Sequence, residues 1–179
     1  SYALSGRERH SSSRYNNMGY PQRTIRSKDY LFIWNMRPER WPAGAPQMYS
    51  PNDTTFLLPI NGVGMDDTYY SMSAFTDVDE SPTKQIILEN SVDSENQFYY
   101  NLSFGKRPEY ELYDIRKDPA CLNNLVGNSD LSDVESKLKN QLINILIYTE
   151  DPRVVGPDTE IFDSYLRYSP MRKFPQPNN

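Results

Sequence analysis

One cysteine and one histidine serve the whole chain of 179 residues, and that scarcity removes several kinds of chemistry. A structural zinc site draws its four ligands mainly from Cys and His, and too few are present to build one. An internal disulfide needs a second thiol, so cysteine usage leaves the compartment undecided. A cysteine nucleophile needs a base to make its thiolate. The only histidine, His10, lies in a basic arm far along the chain from Cys121. Cys121 in "DPACLNNL" (118–125) is therefore read as a small buried apolar residue beside a turn. No run of 18 apolar residues occurs, so no transmembrane helix is expected, and no secretory signal is visible. The chain begins with Ser rather than Met, and an upstream part is expected to be missing. "NGVG" (61–64) lacks both the spacing and the lysine of a phosphate loop. "DVDES" (77–81) sets carboxylates at i and i+2 but without the glycine and distal glutamate of a calcium loop. It is read, like "DD" (66–67), as solvated loop. No acid–base pair, triad or cofactor box remains, so neither a catalytic residue nor a metal ligand is expected here.

What is present is tyrosine, proline and arginine. Apolar residues make up only 37% of the chain and mean hydropathy is -0.77. Fourteen tyrosines partly compensate, because each ring buries large area while its hydroxyl stays wet. Charge is unevenly spread. Residues 1–41 carry eight Arg/Lys against three Asp/Glu, and residues 42–179 carry eleven against 21. The basic excess is nearly all arginine: Arg7, Arg9, Arg14, Arg23, Arg26, Arg37 and Arg40. Arginine presents a planar fork suited to sulfate, phosphate or carboxylate; the plain alternative is a solvated face paired with acidic loops. Nucleic acid is not an expected partner of so acidic a chain without recurring basic-aromatic motifs.

Periodicity places the elements. "RTIRSKDYLFIWNM" (23–36) predicts a hairpin, with two β-rich runs flanking polar "SKD". Alternation sets Leu31 and Ile33 on one face and Tyr30, Phe32 and Trp34 on the other, so this strand should be covered on both sides. From Arg37 to about Gln97 the pattern is poor. Loops are expected there, with a short helix near Asp67–Phe75 and another over 81–91, where Ser81 would be the N-cap and Pro82 would fall in the first turn. So long a stretch without structure suggests loops that lie against another domain. A strand centred on Tyr110–Ile115 stops at Asp118-Pro119. Leu131, Val134, Leu138, Leu142, Ile145 and Leu146 then repeat at helical spacing over 132–149, with Ser132 and Glu135 as a capping box. Burying six such side chains contributes on the order of 10 kcal/mol before chain entropy. The tail, "YSPMRKFPQPNN", reads as frayed loop. The fold class is α+β: a small antiparallel sheet of about four strands, a C-terminal amphipathic helix packed on it, and long irregular loops.

"ELYDIRKDPACLNNL" resembles the signature near the C-terminus of type I, formylglycine-dependent sulfatases, where a strand E-L-Y-D-L leads into an acidic-proline turn and then N-N-L. "GRERH" (6–10), "NNMGYPQRTIRSKDYLFIWNMRPERWPAG" (16–44), "DVDESPTK" (77–84), "FGKRPEYELYD" (104–114) and "TEDPRVVG" (149–156) resemble the heparan N-sulfatase (sulfamidase)-like branch, in that branch's order. The resemblance covers nearly the whole chain. It implies a parent hydrolase acting on sulfate esters or sulfamates of glycans, N-sulfoglucosamine of heparan sulfate among them. The family's formylglycine arises from Cys or Ser in C/S-x-P/A-x-R, a pattern that Cys121 fails. The nucleophile, the Ca2+ ligands and the catalytic Lys, His and Arg are thus expected upstream, in an N-terminal α/β domain, and this chain itself holds no cofactor. On this reading residues 1–22 are an arm leaving that domain and 23–179 are the C-terminal domain. Arg7, Arg9 and His10, with Lys84 as a fourth candidate, would help form the substrate pocket. Tyr20 and Arg23 match "YP-x-R", which reads equally as part of the pocket or as structural, locking the arm onto the hairpin. The partners implied are the N-terminal domain and a sulfated glycan, with no membrane; homo-oligomerisation is compatible. The family implies a secreted, periplasmic or lysosomal setting. The alternative is a free-standing, non-catalytic carbohydrate-binding or interaction module.

Overall fold

The computed structural model describes residues 1–168 and 170–177. Contacts divide the chain into two units. The first is Ser1–Glu8, Tyr20–Pro38 and Pro108–Tyr165; the second is Arg9–Gly19, Glu39–Arg107 and Leu166–Asn179.

The first unit is α+β. Strands β1 (Ala3–Arg7), β2 (Gln22–Arg26), β3 (Tyr30–Asn35) and β4 (Tyr110–Asp114) form one antiparallel sheet in the order β1-β2-β3-β4. The hairpin turns where the polar triplet was expected, and the Ser27 Oγ accepts from the N–H of Tyr30 at 3.0 Å. Register aligns Ile25, Phe32 and Leu112 across three strands. All three are fully buried beneath a helix of the same unit, α3 (Ser132–Tyr148), whose Leu138, Leu142 and Leu146 complete the cluster. The helix therefore lies on the face that carries Tyr30, Phe32 and Trp34. The opposite face is covered less than its alternation predicts, since Leu31 and Ile33 are half-buried there. On the second face, however, the buried group at the strand's end is polar. Asn35 donates to Glu111 Oε1 at 2.6 Å and to the Pro108 carbonyl at 2.7 Å, accepts from Gln22 Nε2 at 2.7 Å, and the Tyr113 hydroxyl donates to the other Glu111 oxygen.

Two local expectations change. Ser132 does not cap α3. A 3₁₀ turn at Ser129–Leu131, capped by Asn128, leads into the helix, and Glu135 accepts instead from the Gly127 N–H at 2.9 Å. Residues 3–7 of the basic arm are the edge strand β1. "ALSGR" has little strand propensity, so pairing with β2 makes it a strand.

The segment "ELYDIRKDPACLNNL" has a local physical role. β4 ends the strand order, so its outer edge lacks a strand partner, and unpaired strand edges are a hazard. Asn124 closes that edge. Its Nδ2 donates to the Tyr110 carbonyl at 3.2 Å, its Oδ1 accepts from the Leu112 N–H at 2.9 Å, and the Leu125 N–H donates to the Leu112 carbonyl at 2.8 Å. Asp118 holds the turn before it by accepting from the N–H groups of Leu122 and Asn123, each at 2.8 Å.

The second unit is built from loops and two short helices, α1 (Pro82–Glu89) and α2 (Gln97–Phe104). Its core is aromatic. Phe75 is fully buried, stacks on Phe104 with ring centroids 4.6 Å apart, and meets Trp41 and Tyr100 edge-on. The helix expected near Asp67–Phe75 does not form, because Asp67, Met72 and Phe75 take left-handed backbone conformations that end any helical run. Ser81 does cap α1, accepting from the Lys84 N–H at 3.1 Å with Pro82 at the first helical position. Replacing Ser81 by Ala should cost about 1 kcal/mol of stability, read as a lowered urea midpoint followed by Trp41 fluorescence. In the tail, Phe174 is buried with Met48 and Leu58 rather than frayed, while Ser169, Asn178 and Asn179 lie outside the described residues.

Candidate functional site

The basic arm contributes to both units. Arg7, on β1 in the first, sets its guanidinium 6.0 Å from the centre of the Tyr20 ring. Tyr20 and Arg23 lock that unit together, the structural of their two readings. The Tyr20 N–H donates to the Glu8 carbonyl at 2.6 Å. Arg23 pairs with Glu8 at 2.6 Å and with Asp151 at 2.5 Å.

In the second unit the arm and the acidic motif meet. Asp77 is not solvated: its side chain is 2% exposed. Its Oδ1 accepts from the Ser11 N–H at 3.1 Å and from the hydroxyls of Ser11 and Ser13 at 3.0 and 2.7 Å. Its Oδ2 accepts from Arg14 Nη2 at 2.8 Å. Arg14 also donates to the Trp41 and Pro42 carbonyls at 2.7 and 2.8 Å. Burial pushes the Asp77 carboxyl up, but the Arg14 charge and the serine and arginine donors outweigh it, leaving the group below the usual carboxylate range. His10 stands beside this cradle, exposed, with Nδ1 3.9 Å from Asp77 Oδ1. Arg9 donates to the Asn17 carbonyl at 2.6 Å.

Lys84 is buried, unlike a pocket cation. Its ammonium donates to Glu80 Oε1 at 2.7 Å and to the Val78 and Phe75 carbonyls at 2.9 and 3.3 Å. Three acceptors for three N–H groups leave none for a sulfate, so as folded Lys84 pins the loop 75–80 to α1. Cys121 is half-buried rather than buried, and burial, reinforced by Asp118, pushes its thiol up, away from a reactive thiolate. Among the described residues no group of three or more His, Cys, Asp or Glu side chains could hold a metal ion. Nor is any helix among them long and apolar enough to cross a membrane.

The second unit also holds a groove of about 800 Å³ that sequence reasoning did not single out. Tyr15, Met18, Trp41 and Pro46 supply apolar walls, and Arg14, Glu39, Arg40 and Lys106 line it with charge of both signs. The Lys106 ammonium lies 5.3 Å from the centre of the Trp41 ring. The available signal was "RPERWPAGAP", a tryptophan set among prolines and arginines in a loop. Proline keeps such a ring out of a helix or a central strand, but its neighbours are set by tertiary packing.

A scan against known protein families returns no match, and no curated protein matches the chain.

Proposed function

We propose that this chain is the C-terminal portion of a formylglycine-dependent sulfatase of the heparan N-sulfatase-like kind. Its parent hydrolyses sulfate esters or sulfamates of glycans, and this portion completes the fold and the rim of the substrate pocket. The observation that carries the reading is the ordered series of sulfatase-like segments from "GRERH" to "TEDPRVVG", with "ELYDIRKDPACLNNL" the most specific. The α+β architecture with its four-stranded antiparallel sheet is compatible with it. The nucleophile and the calcium ligands belong to the upstream domain on this reading, and the 179 residues alone are inactive. Arg9 and His10 would meet the anionic substrate, with Arg7 supporting the same arm from β1.

The test is sulfate release from N-sulfoglucosamine and O-sulfated glucosamine by the full-length protein with Ca2+. Release is expected, and Arg9→Ala should raise KM about tenfold with kcat retained, the loss of roughly 1.4 kcal/mol of binding. Absence of sulfate release from every sulfated glucosamine tried would refute the assignment. An unchanged KM would remove Arg9 from the pocket.

A further inference from the structure

We infer that β1 is a pairing edge for a second copy of this chain: two copies join antiparallel through residues 2–6, on a two-fold axis at Leu4, and continue the sheet across both. The inference does not rest on the sulfatase reading.

The two edges of the sheet differ. On β4 the outer edge is closed by Asn124 and by the Leu125 N–H. β1 ends the strand order on the other side, and among the described residues the backbone of Ala3–Gly6 has no hydrogen bond outside its pairing with β2. An edge left this way offers the N–H and carbonyl of every second residue to another strand. Natural edges are blunted by lysine, proline, an inward charge or a bulge. "SYALSG" (1–6) holds no charged side chain and no proline, and the register with β2 runs from Ala3 to Arg7 without a bulge.

Side chains decide what pairs there. Leu4 and Gly6 lie in the rows of Ile25 and Arg23, on the face that carries α3, and alternation sets Tyr2 with them. Tyr2 is 51% and Leu4 44% exposed, so the open edge carries two large apolar groups. A two-fold axis at Leu4 places Leu4 against Leu4, Tyr2 against Gly6 and Ala3 against Ser5. The Tyr2 ring then covers a glycine, a cross-strand pairing that supports edges, and both apolar groups of each copy leave water. No charged side chain meets another, since Arg7 falls opposite Ser1. An unrelated extended peptide would supply the backbone bonds but not this match. So short an edge buries less than the roughly 1,200 Å² of a standard interface, and the association is correspondingly weak.

Sedimentation equilibrium of the 179-residue chain, from micromolar to millimolar concentration, tests the inference. A monomer–dimer equilibrium with Kd on the order of 100 μM is expected. Leu4→Lys sets two like charges on the axis and should raise Kd at least about tenfold, and Leu4→Glu should do the same. An equimolar mixture of these two variants sets lysine against glutamate and should dimerise within about threefold of wild type. Leu4 is exposed at an edge, so both variants keep the fold, which an unchanged thermal midpoint verifies. The chain's formal charge is -5, so Leu4→Lys lowers the long-range repulsion between copies, and the weakening it causes is local. Leu122→Lys makes the same change at an exposed leucine in the turn after β4 and should leave Kd unaltered. Each of these results overturns the inference: a monomer throughout, Leu4→Lys dimerising like wild type, a mixture no tighter than either variant alone, or equal weakening by Leu4→Lys and Leu122→Lys.

Discussion

Replacing Arg153 by Ala should cost the first unit about 3–5 kcal/mol, the range for breaking a buried charge pair from one side. Arg153 lies on α4 (Pro152–Val155), and its side chain is completely buried. Its Nη2 meets Glu8 at 2.8 Å, and its Nη1 meets Glu160 at 2.9 Å, Asp163 at 3.4 Å and the Thr159 carbonyl at 2.9 Å. Burial alone would lower the guanidinium's affinity for its proton; Glu8 and Asp163 more than offset it, so the group stays charged. Without Arg153, Glu8 keeps Arg23 and Glu160 keeps Arg37. Asp163, with its side chain only 12% exposed, loses this partner. Lysine cannot substitute, because a single ammonium does not reproduce a planar fork spread over three carboxylates and a carbonyl. Arg153→Lys should therefore recover less than half of the loss. Trp34, in β3 of the same unit, reports the transition by fluorescence under urea in a Trp41→Phe background. A loss below about 1 kcal/mol for Arg153→Ala would show that the network contributes no more than an exposed pair does.

Where backbone periodicity decided the structure, the sequence was readable. Strand β2 and helix α3 each bury one regular face, β3 and β4 bury side chains on both faces, and Phe32, Leu112 and Leu142 sit where alternation or helical spacing puts them. The second unit has no such period. Its core gathers Trp41, Phe75, Tyr100 and Phe104 from separate loops and a short helix, and Phe75 takes a left-handed backbone conformation. No window of neighbouring residues records that clustering. α2 was missed for a related reason: "QFYYNLSF" contains mainly middling helix formers, and packing of Tyr100 and Phe104 against Phe75 decides it. Charged residues misled in one direction. A basic arm suggests a solvent-facing surface, yet Arg14 and Arg23 are buried and paired within their units, and Lys84 likewise. Charge can be counted in a sequence, but the carboxylate that neutralises it comes from more than sixty residues away for Arg14. The groove was hidden for the same reason, since Tyr15, Trp41 and Lys106 are brought together only by the folded loops.

Asp77→Asn should cost the second unit about 3–5 kcal/mol at pH 7, by leaving Arg14 buried without its counter-charge. The isosteric amide can keep the serine bonds to Oδ1. In place of Oδ2 it presents N–H groups to Arg14 Nη2, so donor faces donor. The effect has a pH signature whose sign follows from the depressed carboxyl. A group held below its unfolded value of about 3.9 contributes its stability in full above that value. The contribution fades as pH falls toward the folded value, because the unfolded chain then takes up the proton more readily. Wild type should thus lose its advantage over Asp77→Asn as pH drops below about 4, and the two stability curves should converge in acid while staying apart at pH 5 to 8. Urea unfolding followed by Trp41 fluorescence in a Trp34→Phe background isolates the unit that holds the pair. A difference that stays constant from pH 7 to pH 3 would mean that the amide destabilises by geometry alone. The serine cradle, rather than the Arg14 charge, would then be what Asp77 provides.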